Sequence, residues 1–191
     1  MRRSSSLVLL LTVALVSACG TPAKPASTVA VAGSAVSARC RLPELQELPE
    51  SHPRCLFFRG TQSFRDQRYA SAFANWQAIV DLGDVPVELE RYKSGAYNNL
   101  GFLYFMGWGV DRDRNRAVNY WKLATKLGDA ESEYHLCHAY GDSAEPSYNP
   151  SVALGYCKEA LRRYTESKER TGNDEKIVEQ LNRYIARLEA K

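Results

Sequence analysis

Four residues of this 191-residue chain have the types and spacing of a ligand set: His135, Cys137, His138 and Cys157. His135 and His138 stand one helical turn apart, and two imidazoles with two thiolates would suit a tetrahedral metal. No C-x-x-C accompanies them, so the metal reading stays weaker than a disulfide, and no metal or other cofactor is expected. The acidic pairs Glu131/Glu133 and Asp111/Asp113 fall on expected loops and helix starts, where solvated carboxylates complement the helix N-terminus. No G-x-S-x-G, no H-E-x-x-H and no phosphate-cradling glycine loop is present. These residues assemble no catalytic constellation, and the chain is read as a non-enzyme.

The elements that must position these residues come after a distinct N-terminus. Residues 1–18 carry a basic start (Arg2, Arg3) and an apolar run from Leu7 to Val16, too short to span a bilayer as a resident helix. That is the pattern of a secretory signal peptide. Its end, Val16-Ser17-Ala18-Cys19, resembles a bacterial lipobox. The resemblance implies cleavage before Cys19, lipidation of that cysteine with several acyl chains, and stable anchoring. Gly20 follows the cysteine; the absence of Asp there implies sorting to the periplasmic face of the outer membrane. Residues 19–39 are small and Pro/Ala/Ser-rich, and read as a tether with a coil reach of about 25 Å. Residues 40–191 form the folded domain.

Composition is that of a globular chain, 45% hydrophobic and 25% charged. Of 25 basic residues two, Arg2 and Arg3, leave with the signal peptide, so 23 face 22 acidic ones. A nearly neutral body has no electrostatic pull toward nucleic acid.

The domain contains a repeat. Leu100, Gly101, Phe102, Leu103 and Tyr104 align with Leu136, Cys137, His138, Ala139 and Tyr140 at a constant offset of 36. The same offset relates Ala117 to Ala153, Tyr120 to Tyr156, Trp121 to Cys157 and Ala124 to Ala160. Small residues and aromatics recurring on both halves of a unit are what two antiparallel helices need to pack closely. Upstream, Trp76 and Gly83 repeat the spacing of Trp121 and Gly128, with Ala72 placed as Ala117 is. Residues 69–82 therefore read as a further second helix, preceded by a first helix over 56–64. Downstream, 174–190 is an amphipathic helix with Ile177, Leu181, Ile185 and Leu188 on one stripe and Asn173 as its N-cap.

The first full copy, Ala96 to Glu131, closely resembles the Sel-1-like repeat, a tetratricopeptide relative built as helix–loop–helix. Leu100, Gly101, Tyr104, Gly107, Gly109, Val110, Asp113, Ala117, Tyr120, Trp121, Ala124 and Gly128 fill its pattern. The second copy, residues 132–166, is degenerate. Cys137 replaces the glycine after Leu136, and Gly141-Asp142-Ser143-Ala144-Glu145-Pro146 replaces the glycine loop. The resemblance implies an all-α fold: a short solenoid of about three antiparallel helix hairpins closed by a C-terminal capping helix.

Four cysteines remain after lipidation, an even number that favours disulfides in an exported chain and permits three pairings. The repeat register sets Cys137, in the small position of one helix, opposite Cys157, in the aromatic position of its partner. Cys40 then pairs with Cys55.

What the sequence offers beyond packing is a binding surface. Phe105, Met106, Trp108, Arg112 and Tyr97 are the expected partner-binding residues, with Trp108 exposed between two loop glycines and Arg112, Arg114 and Arg116 as a basic rim. Sel-1-like repeat proteins generally act as adaptors. The resemblance therefore implies a non-enzymatic, membrane-anchored scaffold that binds other envelope proteins. The alternative is a module that binds peptidoglycan or another polysaccharide of the envelope.

Overall fold

The computed structural model describes residues 40–41, 47–167 and 172–190. The expected signal peptide, the expected lipidation site Cys19 and the expected tether lie outside them. Among the described residues a pair of two-residue strands, β1 (Cys40–Arg41) and β2 (Glu47–Leu48), precedes seven helices. These are α1 (Pro53–Arg65), α2 (Tyr69–Asp81), α3 (Glu90–Met106), α4 (Arg114–Lys126), α5 (Ala130–Gly141), α6 (Pro150–Glu166) and α7 (Gly172–Glu189), with a 3-10 turn at Val87–Leu89 leading into α3. Each of the pairs α1–α2, α3–α4 and α5–α6 packs as a hairpin, successive hairpins stack, and α7 lies on α6. Among the described residues no helix is long and apolar enough to cross a membrane.

Local sequence explains where the helices begin. Asp113, Asp129 and Asn149 stand just ahead of α4, α5 and α6 in extended backbone, and their side chains accept from Arg116, Ser132 and Val152 N–H. His52 does the same for α1, whose first residue is Pro53. Asn173 is not the cap of α7, because that helix already begins at Gly172 and Asn173 lies in its first turn.

The packing repeats as the sequence does. Ala72, Ala117 and Ala153 are fully buried, each on the second helix of its hairpin. Gly60 of α1 and Gly101 of α3 lie directly beneath the indoles of Trp76 and Trp121, so the helices approach to a distance that no β-carbon would allow. In the third hairpin the same two positions are Cys137 and Cys157, both fully buried and joined by a disulfide with Cα atoms 4.7 Å apart. Cys55 is also buried and disulfide-bonded; the expected pairing with Cys40 involves a side chain outside those described. A buried polar contact links neighbouring repeats: Ser132 Oγ donates to Asn98 Oδ1 at 2.9 Å, while Asn98 carbonyl oxygen accepts from Trp121 Nε1 at 3.2 Å.

The loops of the two full copies differ in sequence but close in the same way. Asp113 N donates to Tyr104 O at 2.9 Å, and Asn149 N donates to Tyr140 O at 2.7 Å. The tyrosines in front of these loops stack identically on the second helix, Tyr104 on Tyr120 and Tyr140 on Tyr156, with centroids 5.6 and 5.8 Å apart. The degenerate second copy therefore keeps the loop span of the first.

Candidate partner-binding surface

The five residues expected to form one binding patch go to different places. Trp108 is half-buried rather than exposed, stacked on Tyr69 at 4.8 Å and packed against Phe102 and Phe64. The reason lies in the glycines beside it. Gly107 and Gly109 adopt φ of +73° and +74° and turn the loop back onto the start of α2, where a β-carbon on Gly109 would meet Ala70 N at 2.6 Å. Trp108 therefore fastens the first hairpin to the second. Tyr97 is half-buried beside Tyr120, 6.1 Å away, and so faces α4 rather than the other four residues. Met106 and Arg112 are exposed, the latter with its Cβ against Gly107. Two arginines of the basic rim are already engaged: Arg114 pairs with Glu145 and covers the Phe105 ring at 4.0 Å, and Arg116 donates to Tyr104 Oη at 3.0 Å.

A different surface runs across the first helices of the hairpins. Phe64 of α1 meets Phe102 of α3 at 6.0 Å, and Phe102 meets His135 of α5 at 6.1 Å. His135 adjoins Tyr134, Tyr134 meets His138 at 4.6 Å, and His138 meets Tyr184 of α7 at 4.6 Å. All six rings are half-buried, so each presents an edge or part of a face while its body packs on the helix below. Sequence reasoning weighed His135 and His138 only as ligands of a metal site that it set aside, and did not place Phe64, Tyr134 or Tyr184 on a surface. With Cys137 and Cys157 joined in a disulfide, no thiolates remain beside those histidines. The register carried one signal: Phe102 and His138 are 36 residues apart and hold the same place on successive helices.

The α7 end of this surface deepens into a cleft of about 320 Å³. Phe105, His138, Gly141 and Tyr184 line it together with the Asp142–Glu145 loop, Arg187 and Leu188. Burial, reinforced by the nearby His135, lowers the His138 pKa and so favours the neutral ring; its Nε2 is shielded from solvent and finds no hydrogen-bond partner among the described residues. Burial likewise raises the Tyr184 pKa. A second perturbed group lies outside this surface. Glu133 is almost fully buried, and burial pushes its carboxyl to about 7 although Arg163 Nε stands 2.9 Å away. Among the described residues no group of three or more His, Cys, Asp or Glu side chains is arranged to hold a metal ion.

The Sel1 repeat family model matches residues 94–129 and 130–163. Its windows begin two residues ahead of the copies at 96 and 132 and keep the offset of 36. Among solved structures, the chain is similar to the crystal structure of a Sel1 repeat protein from Oxalobacter formigenes, at 23% identity and a TM-score of 0.49, over 72% of this chain and 59% of that one. The chain thus spans about three fifths of that protein's length. Comparison with curated proteins gave no match. Sel1 repeat proteins generally mediate protein–protein interactions. The register of small and aromatic residues, the recurring loop closure and the family match agree: residues 94–163 of this chain match the Sel1 repeat model twice in tandem.

Proposed function

We propose that the chain is a non-enzymatic adaptor, lipid-anchored through Cys19 at the periplasmic face of the outer membrane, that binds other cell-envelope proteins along the aromatic surface of α1, α3, α5 and α7. The observation that carries this reading is the unbroken series of half-buried rings from Phe64 to Tyr184. It crosses all three hairpins and the terminal helix, which suits an extended partner better than a small molecule. Aromatic residues on rigid helices give large contact area at small entropic cost and are enriched at binding hot spots. Phe105 and Met106, at the end of α3, border this surface, with Arg112 in the loop beyond.

The test is crosslinking and affinity capture of the full-length tagged chain in cells, comparing wild type with Phe102→Ala and Cys19→Ser. A discrete set of envelope proteins, lost with Phe102→Ala while that variant still gives the helical circular-dichroism spectrum of the wild type, supports the adaptor and its surface. Cys19→Ser is expected to leave the membrane fraction; its retention there would refute the lipid anchor.

A further inference from the structure

The cleft at the α7 end is made by two departures of the second repeat from the first. Gly141 stands 36 residues after Phe105, so the second repeat has no side chain where the first has a phenyl ring. Tyr184 of α7 occupies part of that space; a β-carbon on Gly141 would lie 2.6 Å from its hydroxyl oxygen. In the second departure, the Gly107-Trp108-Gly109 loop, which docks back on α2, is replaced by the polar segment Asp142–Glu145. Arg114 bridges part of the space between the Phe105 ring and this loop, over the ring at 4.0 Å and paired with Glu145, and the rest of it forms the cleft.

The chemistry of its walls is mixed and balanced. Phe105, Leu188 and the Tyr184 ring supply apolar surface. Glu145 is taken up by Arg114. Asp142 uses Oδ1 to accept from Ala144 N–H at 2.9 Å, leaving Oδ2 as an acceptor at the rim. Arg187 is exposed and makes no ion pair among the described residues, its guanidinium lying 5.8 Å from the Tyr184 centroid. The Ser143 hydroxyl adds a group that both donates and accepts. With Glu145 paired, Asp142 and Arg187 leave one charge of each sign on the walls, so a ligand of either net charge meets a like charge there. A volume of about 320 Å³ is at the small end for ligand sites and too narrow for a packed helix.

From this we infer that the cleft holds a neutral sugar ring, free or at the end of a glycan chain, with its C–H face on Tyr184 and on the part of Phe105 that Arg114 leaves uncovered, and its hydroxyls on Arg187, Asp142 and Ser143. A pyranose is uncharged, carries donors and acceptors around its edge, and has an apolar face. The cleft is the α7 end of the extended aromatic surface and shares Tyr184 and His138 with it.

The purified full chain is titrated with chitotriose and with maltotriose, read by saturation-transfer NMR and by the His138 ring resonances. Sorbitol, which has the hydroxyls without a ring face, is the control. The expected result is saturable binding of at least one trisaccharide and none of sorbitol. Arg187→Ala, an exposed change, weakens it at least tenfold at unchanged melting temperature, and Phe105→Leu weakens it while keeping the packing on Trp121. Binding of neither sugar, equal binding of sorbitol, or binding indifferent to Arg187→Ala would overturn the assignment. So would displacement of the sugar signal by a tri-leucine peptide at equal concentration, which would make the cleft a peptide pocket. No protein partner enters this titration, so its outcome is independent of whether the adaptor reading survives capture.

Discussion

The indole of Trp121 lies over Gly101 so closely that a β-carbon at position 101 would come within 2.6 Å of Nε1. The nitrogen there is engaged with Asn98 O, so the ring cannot slide away without losing a buried hydrogen bond. Gly101→Ala is therefore expected to cost about 1–3 kcal/mol, the usual price of overpacking a filled interior. Gly155 of α6 is the internal control, because a β-carbon there meets nothing within 4 Å. Gly155→Ala removes backbone entropy from the unfolded chain at no steric cost and should stabilise by about 0.5–1 kcal/mol. Urea denaturation of the two variants should shift in opposite directions; equal shifts would contradict the packing described.

The third hairpin solves the same contact with a covalent bond. Cys137 and Cys157 are both fully buried, so a thiol reagent reaches the disulfide only when the hairpin opens. Dithiothreitol should leave it intact in native buffer and reduce it in urea, read by mass after alkylation. The Cys137→Ala/Cys157→Ala chain loses the constraint on a loop with a sequence separation of 20 residues, and should be less stable by about 3 kcal/mol. Rapid native-state reduction would show that α5 and α6 separate far more easily than their packing implies.

The hairpins were legible in the sequence because one offset fixes many positions together. Once 36 is accepted, Ala117 with Ala153 and Trp121 with Cys157 follow, and even the degenerate loop keeps the hydrogen bond at Asn149. Contacts between hairpins were not legible in that way. Tyr69 and Phe64, which cover Trp108, belong to a copy with a shorter gap between its helices, so no constant offset aligns them with the later repeats. Tyr184 reaches Gly141 from a helix outside the repeat altogether. A ring series crossing α1, α3, α5 and α7 depends on how units stack, a relation that a pattern read within one unit does not contain.

Trp108 shows the consequence. Its loop glycines suggested exposure, yet the ring is held by Tyr69, Phe64 and Phe102. Trp108→Ala should lower stability by about 2 kcal/mol, less than the 3–5 typical of a fully buried tryptophan. The loss should appear as earlier melting and as faster amide exchange in α1 and α2. A variant that melts like wild type and yet fails in partner capture would return Trp108 to the binding surface.

Glu133 makes stability depend on pH near neutrality. Its carboxyl is raised to about 7 in the folded chain, chiefly by burial between α5 and α6, and opposed by Arg163. An unfolded glutamate titrates near 4.5, so between these values the folded chain holds a proton that the unfolded chain has released. The sign follows: this group's stabilisation is complete below about pH 4.5 and falls away as pH rises through 7. Arg163 also donates to Gly128 O at 3.3 Å, which ties the Glu133 contact to the loop after α4. Glu133→Gln keeps the shape and removes the titration. Melting temperatures across pH 5–8 should decline in wild type by more than in Glu133→Gln, and the variant should be the more stable of the two at pH 8. Parallel profiles would place the carboxyl's titration outside this range, with the Arg163 pair holding it ionised.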